Sequence, residues 1–282
     1  MNPAYTIGAL SALLWGSADF AGGIAAKRAP APLVAAFSGL GAIVVLAVGM
    51  AFLPGTPSAI DLAWGAGAGV CGAAGASLLY RSLAMGPMSL ASPVFTLIGL
   101  IVPVLFGIAA GERPSALAWF GVALTMIAIP LLTMTGEGPG HHPRAHVRRT
   151  LMVSIAAGLV IGWFLVCLAR IGGSAGLWPL VLARVVAIAL IGGWYLARRA
   201  PLLPPAAARP SAFGAGVLDS TANVAFLIAV HRAPLVLISA LVSLAPAATV
   251  LAARLLLRER WTVAQGAGLV LALAAGALIS AG

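Results

Sequence analysis

Residues 32–53 read PLVAAFSGLGAIVVLAVGMAFL, a run of 22 residues without a charged side chain. An α-helix needs about 20 mostly apolar residues to cross a bilayer, so this run predicts a transmembrane helix. Similar runs recur along the chain, separated by charged residues and prolines. They predict ten spans, at about 4–26, 32–53, 62–84, 89–109, 116–135, 150–170, 177–197, 211–231, 235–256 and 262–281.

The composition places the whole chain in a membrane. Of its 282 residues, 62% are hydrophobic and only 8% are charged, whereas a soluble domain carries about 25% charged residues. Ten spans with short connections leave no room for a soluble domain. Residues 1–5 have no basic region of the kind that begins a cleavable signal peptide. We therefore expect the first span to remain in the mature protein, in a cell (inner or plasma) membrane.

The net charge of +10 does not indicate a nucleic-acid partner. Most of the 16 Lys and Arg residues lie at predicted helix ends, where they meet lipid phosphates. No basic stripe follows a soluble face, so nucleic-acid binding is not expected.

Several motifs that elsewhere hold cofactors or metals lack the necessary context. Residues 67–72 (GAGVCG) match a dinucleotide fingerprint, but they lie within a span and indicate close helix packing. Cys71 and Cys167 each lie in an apolar run and are expected to be small buried side chains. His141, His142 and His146 are expected to belong to a solvated linker. The sequence predicts no cofactor, no metal site and no enzymatic machinery.

An internal repeat is the sharpest signal in the sequence. When the chain is aligned with itself at an offset of 147 residues, features coincide without a gap across several spans. The matches are residues 32–34 with 179–181 (both PLV), Gly69 with Gly216, Pro87 with Pro234, Ser92 with Ser239, Glu112-Arg113 with Glu259-Arg260, and Gly121 with Gly268.

This repeat predicts an all-α membrane protein made of two five-helix units. The units are residues 1–135 and 149–282, joined by a polar linker at 136–148. Because five is odd, the second unit crosses the membrane in the opposite sense to the first. Inverted repeats of this kind are typical of secondary transporters, whose site lies between the halves near the membrane midplane. We therefore expect a central cavity.

The residues also carry a resemblance to the drug/metabolite transporter superfamily, in its ten-helix EamA-type branch. The matching features are residues 14–17 (LWGS), 80–87 (YRSLAMGP), 111–115 (GERPS) and 258–262 (RERWT). The second copy departs from the first in having Arg258 where the first has Gly111. The resemblance implies a secondary transporter of small organic metabolites, commonly working outward, and does not specify the substrate.

Charge and resemblance give opposite orientations. Twelve basic residues lie near odd-numbered connections and three near even-numbered ones. Since basic residues of short loops stay in the cytoplasm, the count predicts that both termini face outward. The resemblance implies that both termini lie in the cytoplasm. We favour the charge count.

Three ionisable residues lie clearly inside spans: Asp19, Arg184 and Asp219. Such groups are costly in a bilayer and are candidates for function. Asn223 follows Asp219 by four positions and shares its helix face. The depths of Asp219 and Arg184 differ by less than ~10 Å. None of the three charged residues is repeated at the 147-residue offset.

Two interpretations of these charges remain open. Asp19 or Asp219 can take up and release a proton, while Arg184 holds a substrate carboxylate through its planar fork. Alternatively, Asp219 and Arg184 form a static pair that locks two spans together. Asp19 is close enough to Lys27 for an interfacial role.

Four uncharged residues complete the candidate site. Trp15 and Trp163 lie beside a glycine in the first span of each half, and we expect them to form a pocket wall. Ser92 and Ser239 lie near the helix-4 and helix-9 prolines, which can free backbone carbonyls. These serines are candidates for lining the cavity.

We therefore predict a secondary transporter of small organic metabolites that works by alternating access. Outward transport of amino-acid or drug-like substrates, driven by protons, is the favoured form. An uptake permease for metabolites or sugars is the alternative within this class. A membrane enzyme or assembly scaffold without transport is the alternative outside it. The expected partners are the substrate, the lipid bilayer and protons, in a monomer or a homodimer.

Overall fold

A computed structural model describes residues 2–85, 88–133, 144–257 and 262–282, with side chains for 2–79, 93–133, 147–256 and 262–282. These residues form helices, with a short 3-10 turn at Ala206–Ala208 and no strand in the described part of the chain. The helices are α1 Pro3–Ala26, α2 Ala31–Phe52, α3 Ala59–Met85, α4 Met88–Ala109, α5 Ala116–Thr133, α6 Arg144–Ala169, α7 Trp178–Ala197, α8 Arg209–Val230, α9 Leu235–Val242, α10 Ala245–Leu257 and α11 Val263–Ala281.

The ten predicted crossings are present. Within the described residues, nine segments are long and apolar enough to span a membrane, and α4 supplies a shorter apolar segment at Pro93–Ala109. The all-α, ten-helix membrane fold is thus confirmed. The division into units at 1–135 and 149–282 stays a prediction. α6 begins at Arg144, inside the stretch predicted as linker, while residues 134–143 lie outside the described part.

Side chains cap the helix starts at 58–61 and 262–265. The Asp61 carboxylate accepts from the Ser58 backbone N–H at 2.9 Å, and Ser58 Oγ accepts from the Asp61 N–H at 3.2 Å. Thr262 and Gln265 form a reciprocal capping box before α11. These bonds satisfy backbone groups that a helix start would otherwise leave unpaired.

The sequence predicts the ninth crossing as one continuous helix over 235–256, but the structure shows two helices there. α9 ends at Val242 and α10 begins at Ala245, so the helix is interrupted inside the span. Pro246 has no N–H to donate to the preceding turn, which accounts for lost helical bonding at this point. Ser243 Oγ donates to the Ser239 carbonyl at 2.8 Å and stabilises the end of α9.

Both chain termini lie at one face of the bundle. Asn2 Nδ2 donates to the carbonyl of Arg232, between α8 and α9, at 3.4 Å. Glu112, which precedes α5, accepts from the backbone N–H of Leu235 at 2.7 Å. Gly282 packs against the start of α5. Termini at the same face require an even number of crossings, which agrees with ten.

The opposite face carries connections that follow odd-numbered crossings. There Arg28, after α1, donates to the carbonyl of Ala207, before α8, at 2.9 Å. Further basic residues lie at this end of the bundle: Lys27, Arg198, Arg199 and Arg209. The charge rule predicts that this basic face is cytoplasmic.

The two halves pack against each other reciprocally. α1 packs on α8, and its counterpart α6 packs on α3. α2 packs on α8, while its counterpart α7 packs on α3, and α5 packs on α11. The same contacts return when the first five and the last five crossings are exchanged, as the predicted repeat requires.

Two matched glycines show this reciprocity in atomic detail. A Cβ on Gly121 would approach Ile279 Cγ1 to 2.8 Å, and a Cβ on Gly268 would approach the Leu132 nitrogen to 2.9 Å. Gly121 matches Gly268, and Leu132 matches Ile279, at the 147-residue offset. Small residues at helix crossings let membrane helices approach closely. Residues matched by the repeat therefore occupy equivalent positions on the two sides of the α5–α11 contact.

Candidate functional site

Asp219 is the centre of a polar cluster in the middle of α8. Its Oδ1 accepts from Trp15 Nε1 at 3.1 Å, and its Oδ2 forms an ion pair with the Arg184 guanidinium. Asn223, one turn along, donates through Nδ2 to the Asp219 carbonyl at 2.6 Å and to Oδ2 at 3.2 Å. The cluster therefore joins side chains from α1, α7 and α8.

The ion pair spans a gap between two helices. Among the described residues, α7 packs chiefly on α2 and α3, and α8 packs chiefly on α1 and α2. The Arg184 and Asp219 side chains are 23% and 33% exposed. Both are therefore partly accessible although they lie well inside their spans.

Asp19 adds a second carboxylate to the cluster. It lies one turn after Trp15 on α1, and its side chain is exposed. The described residues contain one ion pair, Arg184 with Asp219, so Asp19 has no cation bound to it there. With both carboxylates ionised, the cluster carries two negative charges and one positive charge.

Aromatic rings cover one side of the cluster. The Trp15 ring centroid lies 5.6 Å from that of Phe226, with the rings inclined at 45°. Phe226 is fully buried and lies seven positions after Asp219, on the same helix face. Sequence reasoning missed Phe226, although its helical spacing from Asp219 was a usable signal.

Two polar atoms beside Asp219 are buried without a hydrogen-bond partner among the described residues. They are Ser220 Oγ and Asn223 Oδ1. Buried polar atoms are normally paired with protein or with water. These two are therefore available to a bound molecule or to water. Among all the residues that the structure describes, no group of three or more His, Cys, Asp or Glu side chains could hold a metal ion.

The remaining candidate residues are not joined to this cluster. Trp163 is 47% exposed, and its ring meets Phe106 edge-on at 6.2 Å. Ser239 is fully buried in α9, and its Oγ has no partner among the described residues. The side chains of Ser92 and His146 lie outside the described residues, as do His141 and His142 entirely.

The structure brings together some of the predicted candidate residues and separates others. Asp219 and Arg184 lie within bonding distance, as their depths predicted, and Asp219 shares a face with Asn223. Trp15 joins them, whereas Trp163 does not.

Comparisons with known proteins bear on the fold and on the first part of the chain. One solved structure, titled only as the crystal structure of a protein, superimposes with a TM-score of 0.78 and 20% identity, covering 98% of this chain and 96% of its own. That likeness shows the fold. No curated protein sequence matches significantly. The model of the EamA-like transporter family matches residues 2–134. The resemblance drawn from the sequence is therefore confirmed over residues 2–134, which are similar to the EamA-like transporter family.

Proposed function

We propose that this protein is a secondary transporter of small organic molecules, with its binding and coupling site at the Asp219 cluster. The observation that carries the proposal is the Arg184–Asp219 ion pair across α7 and α8. Charged side chains inside a membrane span are energetically costly, and they commonly mark substrate or proton pathways. The EamA-like match over the first half supports transport and fits a protein that is not an enzyme.

Arg184 is the group suited to a substrate carboxylate. A guanidinium binds a carboxylate through two parallel N–H donors. Asp219 occupies part of that fork in the described state, so a substrate carboxylate must compete with it. Arg184 becomes available when Asp219 moves away or accepts a proton at Oδ2.

Proton coupling follows from the charge count. The cluster contains two carboxylates, Asp19 and Asp219, and one guanidinium, which is paired with Asp219. One proton on either carboxylate makes the cluster neutral, which lowers the cost of keeping it inside the bilayer. A cationic group on the substrate would neutralise the cluster equally well and would compete with that proton. Competition of this kind couples outward movement of substrate to inward movement of protons.

The architecture fits alternating access. Reciprocal packing of the two halves permits rocking of one against the other about a central site. The interruption between α9 and α10 lies in the ninth crossing, and interrupted helices supply free backbone groups near such sites. Outward transport of amino-acid or drug-like molecules is the form we favour.

The test is flux in proteoliposomes with and without a pH gradient, over a panel of amino acids, organic acids, amines and sugars. We expect gradient-dependent flux that falls at least tenfold in Arg184→Gln and loses its pH dependence in Asp219→Asn or Asp19→Asn. Arg113→Gln, an exposed change near the α5 start, is the matched control and should transport normally.

Two results would overturn the proposal, and a third would change the favoured direction of transport. Proton-driven flux that survives in both Asp19→Asn and Asp219→Asn would exclude these carboxylates as coupling groups. Absence of flux, together with absence of a thermal shift for every panel member, would favour the scaffold alternative. Flux of sugars alone, inward and without a pH gradient, would favour the uptake permease.

A further inference from the structure

A second site of different chemistry lies on the outside of the bundle, between α2 and α7. An apolar groove of about 430 Å³ follows these helices and the start of the α7–α8 connection. Its lining is almost wholly hydrocarbon and includes Phe37, Leu40, Ile188, Leu196, Leu202 and Leu203.

Gly192 and Gly193 make room for this groove. Both line it, and a Cβ built on either would meet no other atom within 4 Å. Glycine inside a helix costs about 1 kcal/mol relative to alanine. Glycines at helix crossings are commonly explained by close packing, but these two pack against nothing in the described chain. Their small size leaves space for something outside the chain.

The basic end of the groove indicates what occupies that space. Arg198 and Arg199 lie on the chain between the lining residues Leu196 and Leu202. Both side chains are exposed, and neither guanidinium hydrogen-bonds to another described residue. Arg198 lies over the ring of Trp194, 4.3 Å from its centroid. A half-exposed tryptophan beside arginines is typical of the membrane interface.

We propose that this groove binds an anionic phospholipid, with an acyl chain along α2 and α7 and the phosphate on Arg198 and Arg199. The apolar lining matches hydrocarbon, and the two guanidinium groups match a phosphate at headgroup depth. A second copy of the chain fits less well, because a two-fold contact here would bring the arginines of both copies together. The inference is independent of the transport proposal.

The experiment compares lipid retention by native mass spectrometry. The purified protein is titrated with phosphatidylglycerol and, separately, with phosphatidylcholine of the same acyl chains. We expect preferential retention of phosphatidylglycerol by the wild type. The Arg198→Gln/Arg199→Gln variant should bind it about thirtyfold less tightly, since each basic residue near an anionic lipid contributes about fivefold.

The glycines allow a test that leaves the arginines intact. Gly192→Leu should fill the groove and abolish retention of both lipids at the site, without a change in thermal stability. Gly266→Leu on α11 is the matched control, because a Cβ there also meets nothing within 4 Å. That control should retain phosphatidylglycerol like the wild type.

Three outcomes would overturn the proposal. Equal retention of the two lipids would exclude recognition of the phosphate charge. Unchanged retention in Gly192→Leu would show that bound lipid lies elsewhere. A dimer in the wild type that Gly192→Leu converts to a monomer would assign the groove to a second copy of the chain.

Discussion

Arg184 on α7 and Asp219 on α8 form an ion pair between helices that do not pack closely on each other in the described part of the chain. The pair therefore connects α7, packed on α2 and α3, with α8, packed on α1 and α2. Any movement that separates α7 from α8 must break it or neutralise one partner. This makes the pair a point at which ligand, proton and conformation can be linked.

Removing one member of the pair should destabilise the protein more than removing both. Arg184→Gln leaves the Asp219 carboxylate without its cation. Because both side chains are partly exposed, we expect a loss of about 2 kcal/mol, below the 3–5 kcal/mol of a fully buried pair. The Arg184→Gln/Asp219→Asn variant should recover most of that loss, measured as the thermal unfolding midpoint in detergent. Strictly additive single effects would show that the residues are not coupled.

The Trp15 indole should contribute to transport through its N–H group. Trp15→Phe keeps a ring against Phe226 but removes the donor to Asp219. One hydrogen bond to a charged group is worth about 1.5–3 kcal/mol, so we expect flux in proteoliposomes to fall about tenfold or more. Trp163→Phe is the control, because Trp163 is exposed and contacts Phe106 instead. Equal effects of the two changes would contradict the assignment.

The two tryptophans also show what the sequence could and could not predict. The spans and the shared face of Asp219 and Asn223 follow from hydropathy and periodicity, which are local properties. Trp15 and Trp163 differ by one position in register, and one residue turns a side chain about 100° around a helix. That shift separates a residue at the cluster from one on an exposed stripe. Helix rotation depends on packing with distant segments, so local patterns could not predict it.

The interruption of the ninth crossing could not be predicted from the sequence either. Pro246 indicated a kink, but the same argument applied to Pro93 and Pro103, and α4 continues through both. Proline removes a hydrogen bond in every case. Whether the helix then bends or stops depends on the surrounding contacts, such as the Ser243 hydroxyl on the Ser239 carbonyl.

Glu112 should stabilise the start of α9 from the other half of the chain. Its carboxylate accepts from the N–H groups of Leu235 and Val236, at 2.7 and 2.9 Å. Glu112→Gln removes the charge and one acceptor, so we expect a loss of about 1–2 kcal/mol. The readout is the thermal unfolding midpoint in detergent. Arg113→Gln, at the adjacent exposed residue, should leave the midpoint unchanged; similar shifts in both variants would refute the capping role.

The close contact of α5 with α11 gives a prediction with an internal control. A Cβ on Gly268 would lie 2.9 Å from the Leu132 nitrogen, whereas a Cβ on Gly266 would meet nothing within 4 Å. Gly268→Ala should therefore cost about 1–3 kcal/mol through overpacking. Gly266→Ala should be neutral or slightly stabilising because alanine favours helix. The readout is the thermal unfolding midpoint of each variant. A lower midpoint for Gly266→Ala than for Gly268→Ala would contradict the reciprocal packing.

Cys71 on α3 and Cys167 on α6 should form a disulfide between the two halves when the protein is oxidised. Both are free thiols on helices that pack on each other, and a Cβ on Gly67, one turn before Cys71, would lie 3.4 Å from Cys167 Sγ. We expect copper–phenanthroline to cross-link them. With a protease site inserted after Gly140, the cleaved protein should then run at full length on a non-reducing gel. Cys71→Ser should give two separate fragments after the same treatment.

The cross-link also tests whether the halves move against each other. A disulfide between α3 and α6 fixes one contact between the two units, so alternating access by rocking should stop if that contact changes during transport. We expect oxidised protein to lose most of its flux in proteoliposomes and a thiol reductant to restore it, with Cys71→Ser unaffected by either reagent. Full flux through completely cross-linked protein would mean that α3 and α6 move together, and the moving boundary would then lie elsewhere.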